Sequence, residues 1–175
     1  MDQYDFMEHK IQITGFKAEI NDARQIMKFI KDTSGKCSSG NCIIQLLQAR
    51  AIAGEKHILQ ATLQAIKSFE MNNNAAKDLG LEICLRASSQ RQISRALKIL
   101  GIENGKMDIC MVAVDCDEDI QKKVGNALGK RNDDVLQADV GVLQEVYEIS
   151  PQEITSAGNI ERVMVERTAL LNLEI

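Results

Sequence analysis

The sequence is poor in aromatic residues, in histidine and in long apolar runs. Aromatic side chains make up 3% of its 175 residues, tryptophan is absent and there are two histidines. Few aromatic rings leave little material for the stacking platforms that bind single-stranded nucleic acids. No stretch approaches the roughly 20 continuous apolar residues that a membrane span needs, and the first ten residues lack the apolar segment of a signal peptide. A cytoplasmic protein without a membrane partner is therefore expected.

The cysteines form no recognisable framework. There are five, an odd number, and without an export signal they are expected to be reduced thiols. Cys37 and Cys42 flank a Ser/Gly-rich loop and could supply half of a metal site. A second pair at ligand spacing is missing, and Cys116, His9 and His57 are too scattered along the chain to complete such a site. No metal and no other cofactor is therefore expected.

The charge of the chain is unevenly distributed. The formal net charge is −4, yet residues 1–114 carry 15 Lys/Arg against 12 Asp/Glu, whereas residues 115–175 carry 6 against 13. Such polarity fits a protein with two faces, one of which tolerates anions. A chance scatter of solvated charges would look the same.

The most basic part of the chain is LRASSQRQISRALKILGI (85–102), which contains no acid. Ser89 and Gln92 have the spacing of a capping box and Gly101 is a helix stop, so a helix is predicted between them. Arg86 would end the preceding strand, beside a helix N-terminus that could hold a phosphate. The side of the predicted helix opposite its apolar face carries Arg91, Arg95 and Lys98. A solvated helix face is the alternative interpretation.

The hydrophobic pattern predicts strands alternating with helices. The predicted strands span 9–16, 42–49, 81–87 and 107–115. Helices are predicted after Asn21, where that residue is the cap, after Gly54, and after the capping box Ser150-Pro151-Gln152-Glu153. A final amphipathic helix is predicted over about 159–172. The fold class is therefore predicted to be α/β: a single domain over 1–175, with a mixed or antiparallel sheet of about four to five strands and about six helices.

Three segments, in this order, resemble one known family. They are ARAIAGEKHILQATLQAIKSFE (49–70), GLEICLRASSQRQISRALKILGI (80–102) and ERVMVERTALL (161–171). They resemble the small kinase-binding subunit of the KEOPS complex, the family of the human PRPK-binding protein and its archaeal counterparts. The resemblance implies a non-catalytic adaptor, with no catalytic residue, that docks onto a small atypical kinase/ATPase subunit. That subunit carries the threonylcarbamoyl-transferase subunit, which modifies adenosine 37 of tRNA, and archaeal members also bind tRNA, including its 3′ CCA end.

The resemblance and the basic helix together imply two sets of site residues. The RNA-facing set is Arg86, Ser88, Ser89, Gln90, Arg91, Gln92, Arg95 and Lys98, with Lys56 and His57 as neighbours. The kinase-facing set lies on the last helix and is Val163, Glu166, Arg167, Leu170 and Leu171.

Two functions from other classes stay open. The chain could be a small enzyme that uses the 88–92 loop for an anionic substrate, with His57 as base and a serine or Cys37 as nucleophile, although no third member stands at a telling spacing. It could also be a pure scaffold that touches no RNA. Turnover without partners would indicate the enzyme, and arginines without effect on RNA would indicate the scaffold.

Overall fold

The central sheet is antiparallel and has five strands. The computed structural model describes residues 2–174, and the side chains of residues 3–171. Along the chain the strands are β1 (Asp2–Phe6), β2 (His9–Ile20), β3 (Ile43–Gln48), β4 (Gly105–Val114) and β5 (Gly129–Arg131). Their order is β1-β2-β4-β3, and β5 pairs with the second half of β2. The predicted fold class is confirmed, and three of the four predicted strands correspond to β2, β3 and β4.

Residues 2–174 contain eight α-helices, against about six predicted. They are α1 (Ala23–Gly35), α2 (Glu55–Glu70), α3 (Leu79–Ser88), α4 (Ile93–Leu100), α5 (Ile120–Leu128), α6 (Val140–Tyr147), α7 (Pro151–Ala157) and α8 (Ile160–Glu174). A final helix is present where it was predicted, as α8, and its amphipathic character stays a prediction. Among the described residues, no helix combines the length and the apolar character needed to cross a membrane.

The chain divides into two compact units. The sheet unit comprises the residues up to 49 together with 102–135, and the helical unit comprises 50–101 together with the residues from 136 onward. In the sheet unit, alternate residues of β2 such as Phe16 and Ile20 join a core that includes Ile109 of β4 and Val124 of α5, as the two-residue period of a strand requires. In the helical unit, α2 packs against α3 and α8. The single domain over 1–175 stays a prediction.

The predicted strand over 81–87 is wrong, because these residues lie in α3. Asp78 caps this helix by accepting a hydrogen bond from the Leu81 backbone N–H, 2.8 Å away. Nearly all of α3 is buried, so it lacks the polar face by which an amphipathic helix is recognised in a sequence. A short buried helix and a buried strand then give the same apolar run.

The helix caps agree with the sequence in one case and differ in two. Ser150 caps α7 as predicted, accepting from the Glu153 N–H at 3.1 Å. The cap of α1 is Asp22 rather than Asn21. The predicted capping box at 89–92 is wrong, because Ser89 ends α3 in the left-handed conformation, with φ of 54°. The N-cap of α4 is Gln92, whose side chain makes no capping hydrogen bond.

Candidate functional site

Arg86 lies in the interior of the helical unit, so its expected surface position at the end of a strand is wrong. Its side chain is 2% exposed, and its Nη2 and Nε atoms lie 2.9 and 3.0 Å from Glu82 Oε1. The backbone N–H groups of Ala75 and Ala76 donate hydrogen bonds to the second carboxylate oxygen of Glu82. Removing one member of such a buried pair leaves the other charge uncompensated. Arg86 is therefore a structural residue of this unit.

His57 and Ser88 are also buried, contrary to the expected position of both at an RNA-facing surface. The Ala53 N–H donates to His57 Nδ1 at 3.0 Å, which leaves Nε2 to donate to the Ala87 carbonyl at 2.8 Å. Burial lowers the pKa of His57 to about 4, although the hydrogen bond to Ala87 acts in the opposite direction. The Ser88 hydroxyl donates to the Leu85 carbonyl at 3.1 Å. Both side chains hold backbone segments of the helical unit in place.

The exposed part of the RNA-facing set lies on and just before α4. We call Arg91, Arg95 and Lys98 the basic stripe; all three are exposed, as are Gln92 and Lys56. Arg95 and Lys98 are three residues apart and so share one side of the helix. The first turn of α4 contains no acid. Two members of the predicted basic helix face, Arg95 and Lys98, thus lie on α4 and face solvent, whereas Arg91 precedes the helix.

A cleft in the helical unit brings together residues of both predicted sets. Its volume is about 230 Å³, and we call it the helical-unit cleft. Ser88, Ser89 and Gln90 contribute to its lining from the RNA-facing set. Arg167, Leu170 and Leu171 contribute from the kinase-facing set. The sequence indicated two separate faces, whereas part of each set meets here.

Arg167 is held firmly within the lining of this cleft. Its Nε and Nη2 atoms donate to the two carboxylate oxygens of Glu153 at 2.9 and 2.8 Å, and Nη1 donates to the Tyr147 carbonyl at 2.6 Å. The hydrogen bonds that the Arg167 guanidinium donates to the Glu153 carboxylate lower the pKa of Glu153. The Tyr147 hydroxyl in turn donates to the Ala51 carbonyl at 2.8 Å, and burial raises the pKa of Tyr147. The sequence predicted neither Glu153 nor Tyr147 as a site residue, because their partners lie 14 and 20 residues away.

The kinase-facing set on α8 separates into an inner and an outer part. Val163 and Leu171 are buried, Arg167 is half-buried, and Glu166 and Leu170 are exposed. Leu170 is 56% exposed and is one of six large apolar side chains exposed among residues 3–171. It lies one helical turn after Arg167, whose guanidinium is anchored to Glu153 and Tyr147.

Three cysteines of the sheet unit lie together at one end of the sheet. Cys42 and Cys116, 74 residues apart, form a disulfide, so the prediction that they are reduced thiols is wrong. Cys37 is buried beside them. Cys84 lies in the buried part of α3, where burial raises the pKa of its thiol to about 12.

The chain is thus an α/β protein whose helical unit carries a cleft and a solvent-facing basic stripe. A family model described as "Kinase binding protein CGI-121" matches residues 18–172. The chain therefore belongs to the CGI-121 family of kinase-binding proteins, and the family expected from its sequence is confirmed.

Two curated relatives show how similar the chain is to archaeal members. It is 34% identical over 131 residues to the regulatory protein Cgi121 of Methanocaldococcus jannaschii, a match that covers 74% of this chain and 83% of the relative. It is 30% identical over 108 residues to the KEOPS complex subunit Cgi121 of Pyrococcus abyssi, covering 62% of this chain and 60% of that relative.

Proposed function

We propose that this protein is the kinase-binding subunit of a KEOPS complex and acts in the cytoplasm as a non-catalytic adaptor. It serves the synthesis of N6-threonylcarbamoyladenosine at position 37 of tRNA. The exposed side of α8, around Leu170, docks onto the atypical kinase/ATPase subunit, which links the protein indirectly to the threonylcarbamoyl-transferase subunit. Family membership and the similarity to the KEOPS complex subunit of Pyrococcus abyssi support this assignment. The observation that carries the docking surface is exposed Leu170 beside the anchored Arg167.

The adaptor also recruits tRNA in this proposal. The basic stripe holds phosphates of the tRNA, and the 3′ CCA end reaches the segment 89–92. Arginine and serine side chains can bind phosphates and unpaired base edges, which suits a chain with few aromatic rings. Three cations that each neutralise one phosphate of a single strand give a salt slope of about −2 in log K against log[salt]. Binding by the free protein is therefore weak, and it strengthens inside the assembly through effective concentration.

The kinase contact is tested by exchanging an exposed apolar residue for a charged one. We expect Leu170→Asp to abolish binding to the purified kinase subunit in calorimetric titrations, because a carboxylate would be desolvated at the interface. Val140→Asp is the matched control, since Val140 of α6 is 45% exposed and does not line the cleft. Wild-type affinity in both variants, with unchanged thermal unfolding, would show that the kinase binds elsewhere.

The RNA contact is tested by titrating labelled tRNA, with and without its 3′ CCA, at low and at moderate salt. We expect saturable binding that needs CCA and weakens with salt. Arg91→Glu should weaken it and leave kinase binding intact, whereas Lys77→Glu, an exposed charge reversal elsewhere in the helical unit, should change neither. Equal loss of RNA and kinase binding in Arg91→Glu, with normal unfolding, would contradict separate contact surfaces.

A pure scaffold without RNA binding is the second candidate. The burial of Arg86, Ser88 and His57 favours it, because it removes three members of the RNA-facing set from the surface. The scaffold would show no tRNA binding even at low salt. No observation favours an enzyme at the 88–92 loop, where the Ser88 hydroxyl is buried against the Leu85 carbonyl.

A further inference from the structure

Three cysteine sulfurs from separate segments of the sheet unit meet at one place. Cys37 follows α1, Cys42 precedes β3 and Cys116 follows β4. Their Sγ atoms all lie within 4.8 Å of one another, and the three residues are 9%, 5% and 7% exposed. Zn–S bonds near 2.3 Å in a tetrahedral site set two sulfurs about 3.8 Å apart. Small side-chain shifts would therefore turn this cluster into a set of metal ligands.

Contacts that do not use sulfur hold the cluster together. The Ser38 N–H donates to both carboxylate oxygens of Asp117, at 3.2 and 3.3 Å. The Ser39 hydroxyl donates to the Asp115 carbonyl at 2.6 Å. These bonds tie the loop that carries Cys37 to the segment that carries Cys116. The sulfurs are thus held near one another when the disulfide is open.

The ligand type and spacing suit zinc. Cys37 and Cys42 are separated by four residues, within the two-to-four range of typical zinc ligand pairs. Thiolates are soft ligands that select zinc over hard cations such as Mg²⁺. The loop residues 38–41 are exposed, so solvent can reach a fourth coordination position. We propose that, when the Cys42–Cys116 disulfide is reduced, Cys37, Cys42 and Cys116 bind one Zn²⁺ ion with a solvent molecule as fourth ligand.

The disulfide and the zinc site exclude each other because they use the same two sulfurs. A dithiol reductant delivers two electrons and two protons to the Cys42–Cys116 bond, which yields two thiols while the reductant becomes a disulfide. Zinc then displaces the three thiol protons to solvent, because thiolates are the metal ligands. An external disulfide reverses both steps: it accepts the two electrons, the Cys42–Cys116 bond re-forms, and zinc is released.

The test uses the full chain, reduced with dithiothreitol, desalted without oxygen and titrated with Co²⁺ as a spectroscopic substitute for zinc. We expect one ion per chain, a sulfur-to-cobalt charge-transfer band with the intensity of three Co–S bonds, and its loss on adding Zn²⁺. The oxidised protein should show no band. Cys37→Ser should lower the band by at least a third and weaken zinc binding at least tenfold. Cys84→Ala, a cysteine variant in the helical unit, should leave both unchanged.

Cys37→Ser keeps the two disulfide partners, so its fold can be checked by circular dichroism in the oxidised state before reduction. No cobalt band in the reduced, folded wild-type protein would overturn the proposal. A full band in Cys37→Ser would also overturn it, since the ion would then be held without the third thiolate. Because the readout is a metal spectrum, failure here leaves the kinase and tRNA proposals untouched.

Discussion

The basic stretch at 85–102 consists of two parts with opposite environments. Arg86 is buried in α3 against Glu82, whereas Arg91, Arg95 and Lys98 face solvent only a few residues later. The two environments differ because α3 places Glu82 one helical turn before Arg86. No residue three or four positions from a cation of the basic stripe is an acid. A cation thus serves stability in one part of the stretch, whereas the cations of the other part face solvent. The surface patch carries three cations rather than four.

The largest expected effect is on stability, and it separates the two parts directly. Arg86→Ala should lower the free energy of unfolding by about 3–5 kcal/mol, because it leaves the Glu82 carboxylate buried without its partner. Arg95→Ala, at an exposed position, should stay within about 0.5 kcal/mol of wild type. Chemical denaturation of the two variants measures the contrast.

A double replacement of the ion pair sharpens this result. Glu82→Gln combined with Arg86→Met should be more stable than Arg86→Ala alone, because it leaves no buried charge while the amide oxygen can still accept from Ala75 and Ala76. If Arg86→Ala and Arg95→Ala lowered the free energy of unfolding by similar amounts, burial would not distinguish the two parts of the stretch.

The second largest expected effect is the pH dependence of stability. Measuring it tests whether His57 is buried as Arg86 is. Its folded-state pKa of about 4 lies below its ordinary value of 6.5, so the unfolded chain takes up a proton in this range that the folded chain does not. Stability from this group is therefore complete above pH 6.5 and falls toward pH 4, by about 1.4 kcal/mol per pH unit and roughly 3 kcal/mol in all. Urea denaturation at a series of pH values measures the slope.

Two variants separate the histidines in this experiment. His57→Gln should flatten the slope between pH 6.5 and 5. His9→Asn should retain it, which assigns the slope to His57 rather than to His9, whose Nδ1 lies 2.7 Å from Asp115. An unchanged slope in His57→Gln would contradict the buried, neutral imidazole.

Much of the fold was predictable from the sequence, and one error explains the main failure at the site. The two-residue alternation in 9–16 indicated a strand, and the apolar runs 42–49 and 107–115 were also assigned correctly, although an apolar run of this length fits a buried strand and a buried helix alike. The run 81–87 has no polar face, so its period did not reveal a helix. When the run 81–87 is interpreted as a strand, Glu82 and Arg86 are too far apart to form an ion pair. In the helix they lie one turn apart and do form one. The wrong element therefore led to the wrong prediction that Arg86 lies on the surface.

The other features that the sequence did not predict depend on contacts between distant residues. The Cys42–Cys116 pairing joins residues 74 positions apart, and no local pattern indicates it. Strand β5 has three exposed residues, Gly-Lys-Arg, without hydrophobic alternation. The Ser150 capping box was found because all of its atoms belong to four consecutive residues.

The smallest expected effect is on the salt dependence of tRNA binding, and it concerns only the exposed basic stripe. Lys98→Ala should reduce the slope of log K for tRNA against log[salt] by about 0.7, the contribution of one phosphate contact on a single strand, and should leave stability within about 0.5 kcal/mol of wild type. Lys77→Ala should leave the slope unchanged. Filter binding across a salt series measures it, and an identical slope in both variants would remove Lys98 from the contact.

The pairing of β2 with β4 also has a consequence for the synthesis of the chain. Ile20 pairs with Gly105 and Ile11 with Val114, so the centre of the sheet cannot form until residues near 114 have left the ribosome. At about 5–20 residues per second, β2 waits on the order of 5–20 seconds with β1 as its earliest partner. During that interval a nascent chain exposes an apolar strand edge, and a messenger truncated before the codons for β4 would yield an aggregating fragment.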